Sequence, residues 1–119
     1  MKYYFSFDEL THTETGISNS IPIAETNPIL HNILLLRTVL NVIRGIIGVP
    51  IHVNSAFRSR EVNAAVGGVS TSNHCLGRAA DITCSELPEL FELCMKLQNS
   101  GVLSECILYS DRNFIHIAI

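Results

Sequence analysis

The decapeptide SNHCLGRAAD, residues 72–81, places a histidine and an aspartate seven positions apart with a glycine between them. The imidazole of His74 and the carboxylate of Asp81 are both groups that bind metal ions. Gly77 allows the chain to turn closely between them, and the alanines before Asp81 leave space for a substrate. A metal site would need a third ligand from elsewhere in the chain. A polar loop that leads into a strand is the alternative explanation.

The closing stretch NFIHIAI, residues 113–119, offers a third ligand in His116. It is predicted to be a strand, and strand side chains alternate between the two faces of a sheet. The isoleucines of the stretch therefore share one face, which we expect to be the core face. His116 shares the other face with Phe114 and Ala118, which indicates a position on the floor of a cleft. A purely structural histidine is the alternative, because a lone histidine in a strand is not specific to metal binding.

Asp81 lies within an apolar segment, where an unpartnered carboxylate is energetically costly. An ion pair with Arg58 or Arg78 would compensate this cost without any metal. A metal ion would compensate it as well, and would bind His74 and His116 at the same time. Two histidines and one carboxylate form a ligand set that leaves one position on zinc open for water. The residues alone leave both explanations open.

The elements that must position these groups are predicted from hydrophobic periodicity. Residues 1–27 are predicted to be irregular apart from a short turn at Phe7–Leu10. Apolar residues then recur at helical spacing up to Ile47, which predicts a long helix with Asn27 as its cap and Pro28 in its first turn. The remaining predicted elements are strand 51–55, helix 58–66, strand 79–83, a helix capped by Ser85 that ends before Gly101, and strands 105–110 and 113–119. The last two strands are joined by a tight turn at Asp111 and Arg112. This order favours an α+β fold with a small, mostly antiparallel sheet packed against helices.

Length and composition limit the possible classes of protein. The 119 residues are sufficient for one domain, 1–119, and 47% hydrophobic against 16% charged residues indicate a globular chain. A formal net charge of -3 with scattered basic residues argues against a nucleic-acid partner. The apolar stretch 29–47 is interrupted by polar residues, so we expect a core helix and no membrane partner.

The beginning of the chain and its cysteines give expectations about location. MKYYFSFDEL lacks the continuous apolar segment of a secretion signal. We therefore expect synthesis in the cytoplasm without a signal peptide, so that any work at the cell wall requires release by another route. The four cysteines contain no Cys-x-x-Cys pair, and we expect them to be reduced, small buried residues.

The motif Ser72-x-His74-x-x-Gly77-x-Ala79-x-Asp81 resembles the signature of the zinc D-alanyl-D-alanine carboxypeptidases and dipeptidases. These proteins share a fold with the hedgehog signalling domain. The resemblance covers nearly the whole chain, since it extends to three further segments: MKYYFSFDEL, which is similar to the start of short phage and prophage peptidases, VNSAFRSREVNAAVGG, and ECILYSDRNFIHIAI. It implies a hedgehog/DD-peptidase-like α+β fold and peptidase activity.

The resemblance also implies a zinc cofactor with three ligands: His74, Asp81 and His116. Arg58 matches the family's arginine that stabilises the developing oxyanion and holds the substrate, with Arg60 as the alternative. Ser72 matches the motif serine near the substrate. Two simpler explanations stay open, in which Ser72 caps the loop and Arg58 pairs with a carboxylate such as Glu61. The implied substrate is the D-Ala-D-Ala end of a peptidoglycan stem peptide, or a crosslink within it.

The general base is where the sequence departs from the family pattern, which has a glutamate or a histidine a few residues before the last zinc ligand. Tyr109 stands at or near that place, and no glutamate is nearer than Glu105. A tyrosine is a poor base at neutral pH because its reference pKa is about 10. We therefore predict Asp111 as the catalytic base, with Tyr109 as the next candidate. A simple turn aspartate is the alternative for Asp111.

Three functions are compatible with this combination of residues. The first is a zinc-dependent peptidase that hydrolyses D-Ala-D-Ala-type bonds of peptidoglycan, and this is our prediction. The second is a catalytically impaired module that contains zinc and binds cell-wall peptides. The third is a metal-free structural or interaction protein. The sequence leaves the oligomeric state open, and it does not separate carboxypeptidase from endopeptidase specificity.

Overall fold

The computed structural model describes residues 4–22 and 26–119. In chain order, the elements are α1 Phe7–Thr11, α2 Thr26–Ile47, β1 Ile51–Ser55, α3 Arg60–Ala65, β2 Ala79–Cys84, α4 Leu87–Asn99, β3 Glu105–Tyr109 and β4 Phe114–Ala118. The strands form one antiparallel sheet in the order β1-β2-β4-β3. The predicted α+β fold with a small antiparallel sheet is therefore confirmed. The predicted irregular segment 1–27 includes residues 1–3 and 23–25, which lie outside the described residues.

The core lies between one face of the sheet and the helices α2 and α4. Ala80 and Ile82 of β2 and Ile115 and Ile117 of β4 are fully buried. They belong to one hydrophobic cluster that also contains the buried face of α2 and Leu90 of α4. The isoleucines of β4 thus occupy the core face that strand alternation predicts.

Helix α2 supplies the largest helical part of this core. Ile33, Leu36, Leu40 and Ile43 are buried at the three- and four-residue spacing of one helix face. By length and composition, α2 is also long and apolar enough to cross a membrane. That criterion is weak for a single helix, because the core helix of a globular protein meets it too. The expected absence of a membrane partner therefore stays a prediction.

Two predicted helix caps are wrong. Asn27 is not a cap, because α2 already includes Thr26 and Asn27. Ser85 is not the cap of α4, because that helix begins at Leu87 after Glu86, which makes no side-chain capping bond. Apolar periodicity locates the body of each helix, but the first turn depends on local main-chain hydrogen bonds that the pattern does not contain.

Two boundaries near the site also differ from the prediction. Helix α3 begins at Arg60 rather than Arg58, because the Ser59 hydroxyl accepts a hydrogen bond from the main-chain nitrogen of Val62 and caps the helix there. Arg58 therefore lies before the helix. The β3–β4 turn spans residues 110–113 instead of a tight two-residue turn, and Asn113 adopts a left-handed conformation with φ of 58°.

The cysteines agree with the prediction only in part. All four are free, so no disulfide is formed. Cys75 and Cys94 are buried, whereas Cys84 and Cys106 are only partly buried. Burial, together with the neighbouring thiols of Cys106 and Cys84, raises the pKa of Cys94 to about 12, which keeps this thiol protonated.

Candidate metal centre

His74 lies in the loop between α3 and β2 and is almost completely buried, with 3% of its surface exposed. Its Nδ1 lies 2.7 Å from the main-chain oxygen of Ala56. Because a carbonyl oxygen can only accept, Nδ1 carries a proton, and Nε2 is the ring atom directed into the site. This Nε2 lies 3.2 Å from Oδ1 of Asp81. The main chain therefore fixes the orientation of the ring that the decapeptide motif singled out.

Gly77 allows the loop that carries His74 to lie directly on α2. It has a φ of +73°, and a Cβ at this position would lie 2.8 Å from Cγ1 of Ile33 and 3.0 Å from the main-chain oxygen of Ile29. Both the conformation and the close approach therefore require glycine. The close turn predicted between the two motif ligands is confirmed.

The sheet register brings Asp81 and His116 together. They are directly paired residues of β2 and β4 and lie on the face opposite the core. Nδ1 of His116 lies 2.9 Å from Oδ1 of Asp81, and the rings of His116 and His74 have centroids 5.2 Å apart. The three predicted ligands thus converge, with one ligand atom from each within 4.8 Å of the others.

Hydrogen bonds set the charges of this cluster. Burial opposes ionisation of Asp81, but hydrogen bonds from His116 and His74 outweigh it and hold the pKa of Asp81 below its usual range. The hydrogen bond to Asp81 raises the pKa of His116, and a further contact with Glu105 adds to this rise against the opposing effect of burial. The cluster therefore holds an ionised carboxylate that attracts positive charge.

Glu105 of β3 joins the site, and the sequence reasoning missed this role. Its Oε1 lies 3.1 Å from Nε2 of His116 and accepts a 2.8 Å hydrogen bond from Nδ2 of Asn73. The Asn73 hydrogen bond, followed by the His116 contact, lowers the pKa of Glu105. The sequence contained a pattern that could have predicted it. Strand alternation puts residues 105, 107 and 109 on one face of β3, and this face lies beside the face of β4 that carries His116.

Arg58 contacts the same carboxylate from the other side. Its Nη2 lies 3.4 Å from Oδ2 of Asp81, and its Nε donates a 3.0 Å hydrogen bond to the Ser55 hydroxyl. A bulge in β1 between Val53 and Ser55 brings Ser55 opposite Asp81. The sequence left Asp81 or Glu61 open as partners of Arg58, and the contact made is with Asp81.

The structure also shows the contacts of Arg78, the other predicted partner of Asp81, and of Ser72. Arg78 does not approach Asp81, since its guanidinium donates to the main-chain oxygen of Ile119. The Ser72 hydroxyl accepts a 3.1 Å hydrogen bond from the main-chain nitrogen of His74. Ser72 thus caps the loop between α3 and β2 that carries His74, as the simpler explanation proposed. It also lines the cleft above the cluster.

An open cleft of about 330 Å³ lies over the cluster. One wall is the segment 66–69, and the other carries Arg112 with the stacked rings of Tyr109 and Phe114, whose centroids are 4.8 Å apart. A second cavity of about 500 Å³ on the β1 side shares Arg58 with this cleft. The ligand cluster therefore lines the first cavity, and Arg58 lies where the two cavities meet.

Asp111 is not brought into this groove. It is exposed in the β3–β4 turn and does not line the cleft, whereas Tyr109 and Arg112 do. Among the described residues that line the cleft, Asp81 is the single carboxylate. The assignment of Asp111 as general base stays a prediction.

The donor atoms of the cluster fit a zinc ion. Oδ1 of Asp81 lies close to nitrogens of both rings, and acceptor atoms at such distances need shared protons or a cation between them. Each ring has its other nitrogen occupied, by the Ala56 carbonyl for His74 and by the Glu105 carboxylate for His116. Such outer partners are typical of histidines that bind zinc. Imidazole and carboxylate ligands are also the types that zinc prefers.

Comparisons with known proteins bear on what this centre does. A family model described as Peptidase M15 matches residues 3–118, which is nearly the whole chain. In the comparison with curated proteins, none matched the chain. The matched range includes every residue of the cluster, its outer partners and both walls of the cleft.

Proposed function

Because the chain belongs to the peptidase M15 family of zinc D-Ala-D-Ala carboxypeptidase-like enzymes, we propose that it hydrolyses D-Ala-D-Ala-type bonds of peptidoglycan stem peptides. Zinc peptidase activity on peptidoglycan-type substrates is a property at the level of the family. The single observation that carries the proposal for this chain is the convergence of His74, Asp81 and His116 on the floor of an open cleft.

The chain's own residues account for binding and charge stabilisation. His74, Asp81 and His116 would hold the zinc ion, which when bound supplies Lewis-acid activation of water and of the scissile carbonyl. The guanidinium of Arg58, 3.4 Å from Asp81, stands beside this ligand set and stabilises the negative charge that develops on the carbonyl oxygen. The Ser72 hydroxyl accepts from the main chain, so its own hydrogen remains to donate to the substrate.

The cleft supports a substrate that ends in a carboxylate. Arg112 lines the rim of the cleft, and within the described residues its guanidinium has no hydrogen bond or ion pair. A cation at this place attracts the terminal carboxylate of a stem peptide, which favours carboxypeptidase over endopeptidase action. The second cavity, on the β1 side of Arg58, has space for the rest of the stem peptide. Since peptidoglycan lies outside the cytoplasm, the proposal includes transfer of the protein to the cell wall.

The proton transfer step is assigned to the β3–β4 region. Asp111 is the base predicted from the sequence, although it lies in the exposed turn outside the cleft, and Tyr109, which lines the cleft, is the second candidate. General bases typically contribute about 10²–10⁴-fold to a rate. We therefore expect the one variant of Asp111→Asn and Tyr109→Phe that removes the base to lower kcat by about 10²- to 10⁴-fold, with zinc binding unchanged.

A second candidate function follows from the carboxylates. Asp81 is the single carboxylate among the described residues that line the cleft, and it is itself a predicted zinc ligand. No carboxylate among these residues is therefore left to act as the general base. The alternative is a module that contains zinc and binds cell-wall peptides without turnover.

One experiment separates the two functions. The zinc-loaded protein is incubated with a stem pentapeptide that ends in D-Ala-D-Ala, and with the same peptide amidated at its C-terminus. Release of D-alanine from the free acid, faster than release of D-alaninamide from the amide and absent in His116→Ala, supports the carboxypeptidase. Stoichiometric zinc with peptide binding but without release supports the binding module.

A further inference from the structure

The two histidines of the cluster are oriented by different kinds of acceptor. His74 is oriented by the neutral main-chain oxygen of Ala56 at 2.7 Å, whereas His116 contacts the carboxylate of Glu105 at 3.1 Å. A main-chain acceptor is present whatever the side chains are. A side-chain acceptor is present only where the sequence has a suitable residue, so a substitution can remove it.

We propose that Glu105 is a positioning residue that, together with Asn73, orients His116 for metal binding. This inference rests on the proposed zinc site. The ring of His116 has Nδ1 directed toward Asp81 and Nε2 directed toward Glu105. Without a metal ion, both ring nitrogens face carboxylates and donate to them. A metal ion would take the place of the Nδ1 proton, while Nε2 keeps its hydrogen bond to Glu105, so that Nδ1 supplies the lone pair that a metal ion requires. Glu105 therefore selects the tautomer as well as the ring orientation.

Asn73 holds the Glu105 carboxylate in place. Nδ2 of Asn73 donates a 2.8 Å hydrogen bond to the same Oε1 that faces His116. The main-chain oxygen of Asn73 accepts from the nitrogens of Leu76 and Arg78, which fixes the start of the ligand loop. Because Asn73 immediately precedes His74, one loop supplies the first ligand and also supports the third.

The position of Glu105 excludes it as the general base. It touches the Nε2 side of His116, while the other ligand atoms gather on the Nδ1 side. The imidazole ring thus separates the Glu105 carboxylate from the space where water and substrate would react. Glu105 also does not line the cleft. Its contribution acts through His116.

The test is the zinc affinity of the full chain, measured by competition with a chromophoric chelator. We expect Glu105→Ala to weaken zinc binding by about 10- to 100-fold, the usual cost of losing an outer partner of a zinc-bound histidine. Glu105→Gln keeps a neutral acceptor and should give an intermediate loss, and Asn73→Ala should give a smaller loss than Glu105→Ala. Glu89→Ala, an exposed glutamate of α4, is the matched control and should bind zinc as the wild type does.

Cobalt(II) provides a second readout that a merely structural role would not change. The visible absorption of the cobalt-loaded protein reports ligand geometry, and it should change in Glu105→Ala while circular dichroism shows the same fold. Wild-type zinc affinity and an unchanged cobalt spectrum in a folded Glu105→Ala would overturn this inference alone. A wild-type chain that binds neither metal would overturn the proposed function and this inference with it.

Discussion

The two faces of the sheet are built from the same strands and have opposite chemistry. On β2 and β4, the core face carries Ile82 and Ile117, both fully buried against the helices. The other face carries Asp81, which is next to Ile82 in sequence, and His116, which is next to Ile117. These two residues are joined by a 2.9 Å hydrogen bond. Alternation thus separates the residues that stabilise the fold from those that form the site.

The difference lies in what surrounds each face. The core face is covered by helices whose side chains need only be apolar and of the correct size. The polar face is completed by single contacts from the loops and strand edges: Arg58 before α3, Asn73 and His74 before β2, and Glu105 at the start of β3. The core face therefore depends on buried apolar volume, whereas the site depends on individual polar atoms.

The largest effect on the fold is expected from the core face. Ile117→Ala should lower the free energy of unfolding by about 2–5 kcal/mol, because it removes a fully buried side chain and leaves a cavity. Zinc affinity of the folded protein should stay close to that of the wild type. Denaturant unfolding with chelator present, followed by zinc titration, measures both quantities.

Ile107→Ala is the matched control, since Ile107 pairs with His116 on the polar face and is 44% exposed. Its cost should remain within about 0.5 kcal/mol. Equal losses of stability in the two variants would contradict the division of the sheet into a core face and an exposed face.

A smaller effect should appear in the pH dependence of the metal-free protein. The pKa of His116 is raised, so its contribution to stability is complete below the unfolded value of about 6.5 and is lost as the pH rises through the folded value. The pKa of Asp81 is lowered, so its contribution is present above about 3.9 and is lost as the pH falls through the folded value. The stability contributed by this pair should therefore be highest between about pH 4 and 6.5.

Thermal unfolding in chelator, at a series of pH values, measures this profile. The melting temperature should fall between pH 6 and pH 8 in the wild type, and His116→Gln should make the profile flatter. A wild-type profile that coincides with that of His116→Gln would show that the polar face contributes no such ionic interaction.

Much of the site could be predicted from the sequence, for specific reasons. His74 and Asp81 belong to one continuous motif, and alternation alone puts His116 on the face opposite the isoleucines. The helix bodies and the strands follow from apolar spacing, as in α2 and β4. Each of these features depends on residues that are near each other in the chain or on a fixed periodicity.

The rest depends on contacts between distant segments. Glu105 reaches His116 in the observed β3–β4 register. Arg58 precedes α3 and contacts both Asp81 and Ser55, which a bulge places opposite Asp81. The turn at 110–113 is longer than its sequence predicted, and it leaves Asp111 outside the cleft. Register, bulges and turn length are set by packing of the whole sheet, so the general base could not be placed from spacing alone.

The measurement that tests the central claim most directly is the metal content of the purified chain and of His116→Ala. The polar face should bind one zinc ion per chain, and His116→Ala should lose it while its fold and its apolar core remain intact. A folded wild-type chain that takes up no zinc, even with zinc in excess, would contradict the account. The convergence of His74, Asp81 and His116 would then be a metal-free ion-paired network that Arg58 and Glu105 complete.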